Sequence, residues 1–229
     1  MAASAHRVHF RDELARLESQ ALGALDLVVT TLDRTLEALH HRDIELAAIV
    51  IQDDDRIDGR YLEVHQGILS LLALQAPVAS DLRVVAALLH VIKHAERMGD
   101  QCVNIAKMLP VVGYEPPKDE QMLEYIFKMG KLARSEVEQC KQAFLLRDVA
   151  VAEDLVRQDH EINRLNKCVF ARAVEIGTDA DRREWAMTMM LVARAIERIG
   201  DNAVDIGEQV AFVVTGLFRE FSDASHVGN

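Results

Sequence analysis

The stretch Ala95-Glu-Arg-Met-Gly-Asp100 recurs as Ile196-Glu-Arg-Ile-Gly-Asp201, 101 residues further along the chain. A second pair of matching segments comes earlier in each half, built around the dipeptides Arg42-Asp43 and Arg147-Asp148, which lie 105 residues apart. Segments that recur in the same order at nearly the same spacing are typical of an internal duplication. The chain is therefore predicted to contain two copies of one structural unit.

The sequence around these segments has the periodicity of helices rather than strands. Apolar residues recur at three- and four-residue spacing, the prolines stand at 77, 110, 116 and 117, and only 5% of the residues are aromatic. We predict an all-α protein of two tandem three-helix bundles. The expected helices cover residues 8–40, 43–75, 78–109, 118–146, 148–176 and 180–216. The expected repeats cover 1–112 and 113–229, with a linker at 113–117 and a polar tail from 222.

The composition argues against several classes of function. A formal net charge of −11 without any basic run is unsuited to a nucleic-acid partner, because phosphate binding needs clustered Lys and Arg. The longest stretch free of Asp, Glu, Lys and Arg, residues 64–80, contains His, Gln and Pro and is a poor membrane span. Three cysteines without C-x-x-C spacing, and no visible secretion signal, favour a reducing cytoplasm.

The acidic residues of the repeated stretches fall on the apolar side of their helices. Glu96 and Asp100 are four residues apart, and the apolar residues Leu89 and Ile92 fall within about 40° of Glu96. Each preceding helix carries a further pair of oxygen-bearing side chains at the same spacing. We expect these side chains to converge where the second and third helices of each unit pack side by side. The candidate metal ligands are Asp54, Asp58, Glu96, Asp100 and Asn104 in the first repeat and Asp159, Asn163, Glu197, Asp201 and Asp205 in the second.

Such clusters need something to neutralise them, because neighbouring carboxylates repel one another and burial disfavours their charge. Ligand sets made only of oxygen select hard cations such as Mg²⁺, Ca²⁺, Mn²⁺ or Fe³⁺. Lys93 and Arg194 offer a second solution, since each stands three residues before a motif glutamate and could form a salt-bridge network along the helix edge. The residues alone leave both interpretations open.

The run from Gln75 to Arg83 (Q-A-P-V-A-S-D-L-R), followed by the two E-x-x-G-D motifs and by Asn104-Ile-Ala106, resembles the PhoU domain. The similarity extends over nearly the whole chain. It implies a non-enzymatic regulator of phosphate uptake in the cytoplasm that carries iron or zinc on its E/D-x-x-x-D motifs. It also implies binding to the ATPase of a phosphate ABC transporter and to a phosphate sensor histidine kinase, and it favours a homodimer.

The second repeat departs from the first at three places. Asn163 stands where the first repeat has Asp58, which removes one negative charge, and Asp205 stands where it has Asn104, which would offset that loss. The element Asp81-Leu82-Arg83 has no counterpart in the second half, so any function of that element belongs to the first repeat.

Two histidine-containing patterns point to other classes of protein. His90 and His94 have the spacing of zinc ligands, but they point about 100° away from the acidic face and are expected on the solvent side. Glu37-Ala-Leu-His40 has the form of half a di-iron site, and its second half is missing from the other repeat. The alternatives to a metal-binding regulator are therefore a metal-dependent helical enzyme and a plain helical adaptor without metal.

Overall fold

Helices form all the regular structure in the computed structural model, which describes residues 2–75, 77–110 and 119–221. No helix in those ranges is both long enough and apolar enough to cross a membrane. The helices are α1 (Ala2–His41), α2 (Ile44–Asp53), α3 (Asp55–Leu74), α4 (Ala79–Met108), α5 (Glu120–Leu146), α6 (Val149–Glu153), α7 (Leu155–Ile176) and α8 (Ala180–Thr215).

The second and fifth predicted helices are each interrupted once, so the described ranges contain eight helices where six were expected. The interruptions fall at Asp54, between α2 and α3, and at Asp154, between α6 and α7. Both aspartates keep right-handed helical dihedral angles. The chain therefore loses helical hydrogen bonding locally without turning back, and each interrupted pair still acts as one long rod.

The matching Arg-Asp dipeptides form the same corner in both halves. Arg42 (φ 56°) and Arg147 (φ 54°) both adopt the left-handed conformation that ends a helix. Asp43 then accepts a hydrogen bond from the backbone N–H of Leu46 at 2.9 Å, and Asp148 caps the next helix in the same way. The internal duplication predicted from these dipeptides is confirmed at the level of backbone conformation.

The two three-helix bundles share a continuous hydrophobic core. The first bundle contains α1, the α2–α3 rod and α4, and the second contains α5, the α6–α7 rod and α8. Helices α4 and α8 pack directly against each other, and buried residues from both bundles belong to one cluster. We call this α4–α8 contact the seam. The predicted linker at 113–117, the repeat boundary at 112–113 and the polar tail from 222 lie outside the described residues.

Candidate metal centres in the two repeats

The first cluster forms where α3 packs against α4, as the sequence predicts. Burial raises the pKa of Asp54 from 3.8 to about 6, and the nearby charges of Asp58 and Asp100 add to the shift. The pKa of Asp100 is also raised, first by burial and then by Glu96 and Asp58. The four acids of the first repeat therefore share one neighbourhood, in which the surrounding carboxylates disfavour the charged forms of Asp54 and Asp100.

The second cluster lies at the equivalent place between α7 and α8. Asp159 and Glu197 are buried, while Asp201 is exposed on the outer side. The side-chain amide of Asn163 donates a hydrogen bond to Oδ2 of Asp159 at 2.7 Å. Asn163 therefore acts here as a neutral donor to an aspartate, where the first repeat has the carboxyl side chain of Asp58.

Basic residues already neutralise the two motif glutamates. The Nζ of Lys93 donates to both carboxylate oxygens of Glu96 at 2.8 Å. Arg194 donates to Glu197, which also accepts a hydrogen bond from the side chain of Asn166 at 2.8 Å. The salt-bridge interpretation thus describes the glutamates of both repeats. It does not extend to Asp54 and Asp100, whose carboxyl groups have raised pKa values.

The glycines of the two E-x-x-G-D motifs leave room for the acids. A Cβ atom on Gly99 would lie 3.3 Å from Oδ1 of Asp54 and 2.9 Å from Cδ1 of Ile57. A Cβ atom on Gly200 would lie 3.3 Å from Oδ1 of Asp159. Since these glycines lie inside helices, their role is to permit close approach between helices, not to provide an unusual backbone angle.

The sequence prediction missed Glu136, on α5, which contributes a carboxylate to the second cluster. Its side chain is fully buried, and neither carboxylate oxygen has a hydrogen-bond partner among the described residues. Burial raises its pKa from 4.5 to about 9, with smaller contributions from Asp159 and Asp201. The signal for it was present in the sequence, because Glu136 falls on the same apolar stripe of α5 as Ala133 and Cys140.

Asn104 and Asp205 are the last predicted ligands along α4 and α8, and neither lies among the buried acids of its cluster. Asn104 is exposed, and Oδ2 of Asp205 lies 3.5 Å from Nδ1 of His94. The expectation that His94 faces solvent is wrong: it is 8% exposed, its Nδ1 is 2.8 Å from Oδ1 of Asn202, and burial lowers its pKa. The reason is that α4 packs on two sides, against its own bundle and against α8. His90 is exposed as expected.

The remaining residues that the sequence analysis singled out lie near the ends of helices. Glu37 and His40 are exposed at the end of α1, where the His40 ring packs edge-on against Phe127 with centroids 5.1 Å apart. In the Asp81-Leu82-Arg83 element, the guanidinium of Arg83 lies against Gly216, which ends α8. This element therefore joins the start of α4 to the end of α8.

The donor chemistry of the clusters fits a hard cation. The predicted ligands offer carboxylate and amide oxygens, and the buried oxygens of Glu136 lack a hydrogen-bond partner in the described chain. Within the described ranges, no three His, Cys, Asp or Glu side chains already surround one cation position. The side chains that would hold a cation are those of Asp54 and Asp100 in the first repeat and of Asp159 and Asp201 in the second.

Two three-helix bundles in tandem, each with acidic side chains where its rod meets its last helix, define a class of duplicated helical proteins. The family model that matches the chain is the PhoU domain, which matches twice, at residues 23–109 and 126–210. The chain therefore belongs to the PhoU family, as the resemblance implied.

Curated relatives and solved structures agree with this assignment. The chain is similar to a phosphate-specific transport system accessory protein PhoU homolog of Clostridium acetobutylicum, with 27% identity over 93% of this chain and 98% of the relative. A PhoU homolog 1 of Thermotoga maritima is 31% identical over 93% of each chain. The crystal structure of the phosphate transport system regulatory protein PhoU from Streptococcus pneumoniae superimposes with a TM-score of 0.85 and 27% identity, covering 92% of this chain and 99% of that one.

These relatives bear on the class of function. They are named accessory or regulatory proteins, so the prediction of a non-enzyme is confirmed by family membership. The all-α fold with a tandem repeat is confirmed by the helices and by the two matches of the PhoU model.

Proposed function

We propose that this protein regulates phosphate uptake and phosphate-starvation signalling from the cytoplasm. It does so by binding the ATPase of a phosphate ABC transporter and a phosphate sensor histidine kinase, and it acts as a homodimer. The observation that carries this proposal is the match to the PhoU family in both repeats, together with relatives named as accessory proteins of phosphate-specific transport.

Exposed apolar side chains support a role in binding other proteins. Leu69 on α3 is 53% exposed, and Phe170 and Leu191 in the second repeat are each 57% exposed. The latter two line one groove of about 370 Å³, bordered by Lys167 and Arg194. Groups of exposed apolar residues with a polar border are typical of interaction sites.

The same proposal includes metal ions at the two clusters. By family resemblance the metal is iron or zinc, and the oxygen ligands also suit Mg²⁺, Ca²⁺ or Mn²⁺. Support comes from the raised pKa values of Asp54 and Asp100, since carboxyl groups that repel one another are stabilised as anions by a bound cation. In this proposal Asp58, Glu96, Asn104, Asn163, Glu197 and Asp205 complete or support the ligand sets around the four central aspartates.

The regulatory role is tested by deleting the gene and following a phosphate-starvation reporter in phosphate-rich medium. We expect reporter expression to rise several-fold and to return to the parental level when the wild-type gene is restored. Reporter expression that stays at the parental level in the deletion strain would contradict the regulatory role.

The metal is tested separately by elemental analysis of the purified protein. We expect the combination of Asp54→Asn with Asp100→Asn to lower the metal content of each chain. The matched control is Asp12→Asn with Glu153→Gln, which removes the same formal charge from exposed positions outside the clusters. Metal well below one equivalent in the wild type, unchanged by the cluster variant, would leave the helical adaptor without metal as the better description.

A further inference from the structure

Glu136 distinguishes the second acidic cluster from the first. We propose that Glu136 is a cation ligand that only the second repeat possesses, so that the two repeats bind cations with different ligand sets. This inference rests on the proposed metal binding of the clusters and assigns a ligand that lies outside the E/D-x-x-x-D motifs.

The position of Glu136 supports a ligand role. Its Oε2 lies 2.7 Å from the point where a Cβ of Gly200 would be, and Oδ1 of Asp159 lies 3.3 Å from the same point. Glu136 also interacts electrostatically with Asp201 on α8. Carboxylates from α5, α7 and α8 therefore approach one small region, which the glycine of the E-x-x-G-D motif keeps open.

The surroundings of Glu136 argue against a purely structural role. A buried carboxyl group normally has a hydrogen-bond partner, because leaving such a group unsatisfied costs free energy. Both oxygens of Glu136 are buried without such a partner in the described chain, although polar side chains such as Asn163 lie in the same cluster. A cation held between Glu136 and its acidic neighbours would satisfy these oxygens.

The residues at equivalent positions of the two repeats also support a ligand that only the second repeat possesses. Thr31 occupies the position 105 residues before Glu136, so the first repeat has no acid there. The first repeat has Asp58 where the second has Asn163. The second repeat thus exchanges an acid on an exposed position of the rod for a buried acid on its first helix. Each cluster keeps four carboxylates: Asp54, Asp58, Glu96 and Asp100 in one, and Glu136, Asp159, Glu197 and Asp201 in the other.

The experiment measures Mn²⁺ binding to chelator-treated protein by calorimetry, one repeat at a time. Asp54→Asn with Asp100→Asn disables the first cluster and leaves the second to be titrated. In that background we expect Glu136→Gln to weaken Mn²⁺ binding by at least about tenfold, because even groups behind the ligands change metal affinity on that scale. Glu136→Thr introduces the residue that the first repeat carries, and it should weaken binding to a similar extent.

The matched control uses the opposite background, in which Asp159→Asn with Asp201→Asn disables the second cluster. There Glu136→Gln should leave the Mn²⁺ affinity of the first repeat unchanged. Circular dichroism of each variant verifies that the helices are intact. Equal Mn²⁺ affinity of the second repeat with and without Glu136 would overturn this inference alone. Absence of Mn²⁺ binding in both backgrounds would overturn the proposed metal binding and this inference with it.

Discussion

Burial of Glu136 and the negative charges of its neighbours shift its pKa in the same direction. Both raise its pKa, so the metal-free folded protein holds a proton there at neutral pH, whereas the unfolded chain does not. The folded state therefore binds more protons than the unfolded state between the unfolded pKa of 4.5 and the folded pKa of about 9. In that window the free energy of unfolding falls as the pH rises.

We expect Glu136→Gln to flatten this pH dependence, because glutamine has no proton to lose. Urea unfolding of chelator-treated protein at several pH values between 5 and 9 measures the effect. The wild type should lose on the order of a few kcal/mol more stability across the window than the variant does. Asp54, whose pKa is raised to about 6, contributes a smaller fall in the acidic part of the window to both proteins. Parallel stability curves would contradict the buried, protonated state of Glu136.

The position of a side chain could be predicted from the sequence where its direction depends on a single helix. The four-residue spacing placed Glu96 and Asp100 on one side of α4, and the pairing of α3 with α4 brought Asp54 to them. Glu136 and His94 required knowledge of how helices pack across the molecule. A helical wheel predicts one packed face, whereas α4 packs on two sides, which is why His94 is buried. A carboxyl group on the apolar stripe of α5 can be explained only when the polar groups that other helices place beside it are known.

Among the helices, close approach depends on the glycines of the E-x-x-G-D motifs. At Gly200, the carboxylate of Glu136 occupies the space that an added methyl group would need. Cδ1 of Ile162 would lie 3.1 Å from the added Cβ. Extra atoms in a well-packed interior displace side chains or helices. Gly23, in the interior of α1, has no atom within 4 Å of an added Cβ and provides the comparison.

We expect Gly200→Ala to destabilise the protein by roughly 1–3 kcal/mol through overpacking. Gly23→Ala should instead stabilise it by about 0.5–1 kcal/mol, because alanine has the higher helix propensity. Chemical denaturation of both variants measures the difference. A stabilising effect of Gly200→Ala equal to that of Gly23→Ala would mean that α8 does not approach α5 as closely as described.

The helices themselves were predictable because their apolar periodicity is long and regular. The interruptions at Asp54 and Asp154 were not, because neither position carries a proline or glycine, and both residues keep helical dihedral angles. The Arg-Asp corners, by contrast, were visible as a repeated dipeptide. Their left-handed arginines could not be foreseen, since arginine has no particular preference for that conformation.

Across the whole molecule, the seam joins the two bundles into one core. Buried residues of α4 such as Met98 and Ile105 belong to the same cluster as Ile196 and Ile199 of α8. The sequence predicts two repeats, but it does not indicate how strongly they are joined, because the periodicity of α4 and α8 is satisfied equally well by separate bundles. The repeat boundaries of 1–112 and 113–229 stay a prediction.

We expect the intact protein to unfold in one transition, because exposing the seam would leave a large apolar surface in water. Trp185, the only tryptophan, is buried on α8 and reports on the second repeat, whereas far-ultraviolet circular dichroism reports on both. The urea midpoints from fluorescence and from circular dichroism should therefore coincide. Separate midpoints would indicate that the repeats unfold independently.

The seam also has an asymmetric polar contact, in which His94 of α4 meets Asn202 of α8. The repeat counterparts of these residues are Ala195 and Gln101, so the contact occurs on one side only. A symmetric dimer of identical single-repeat chains must make every contact twice, once on each side of its axis. Fusing both copies into one polypeptide lifts that requirement, and each partner helix is then free to evolve its own half of the junction.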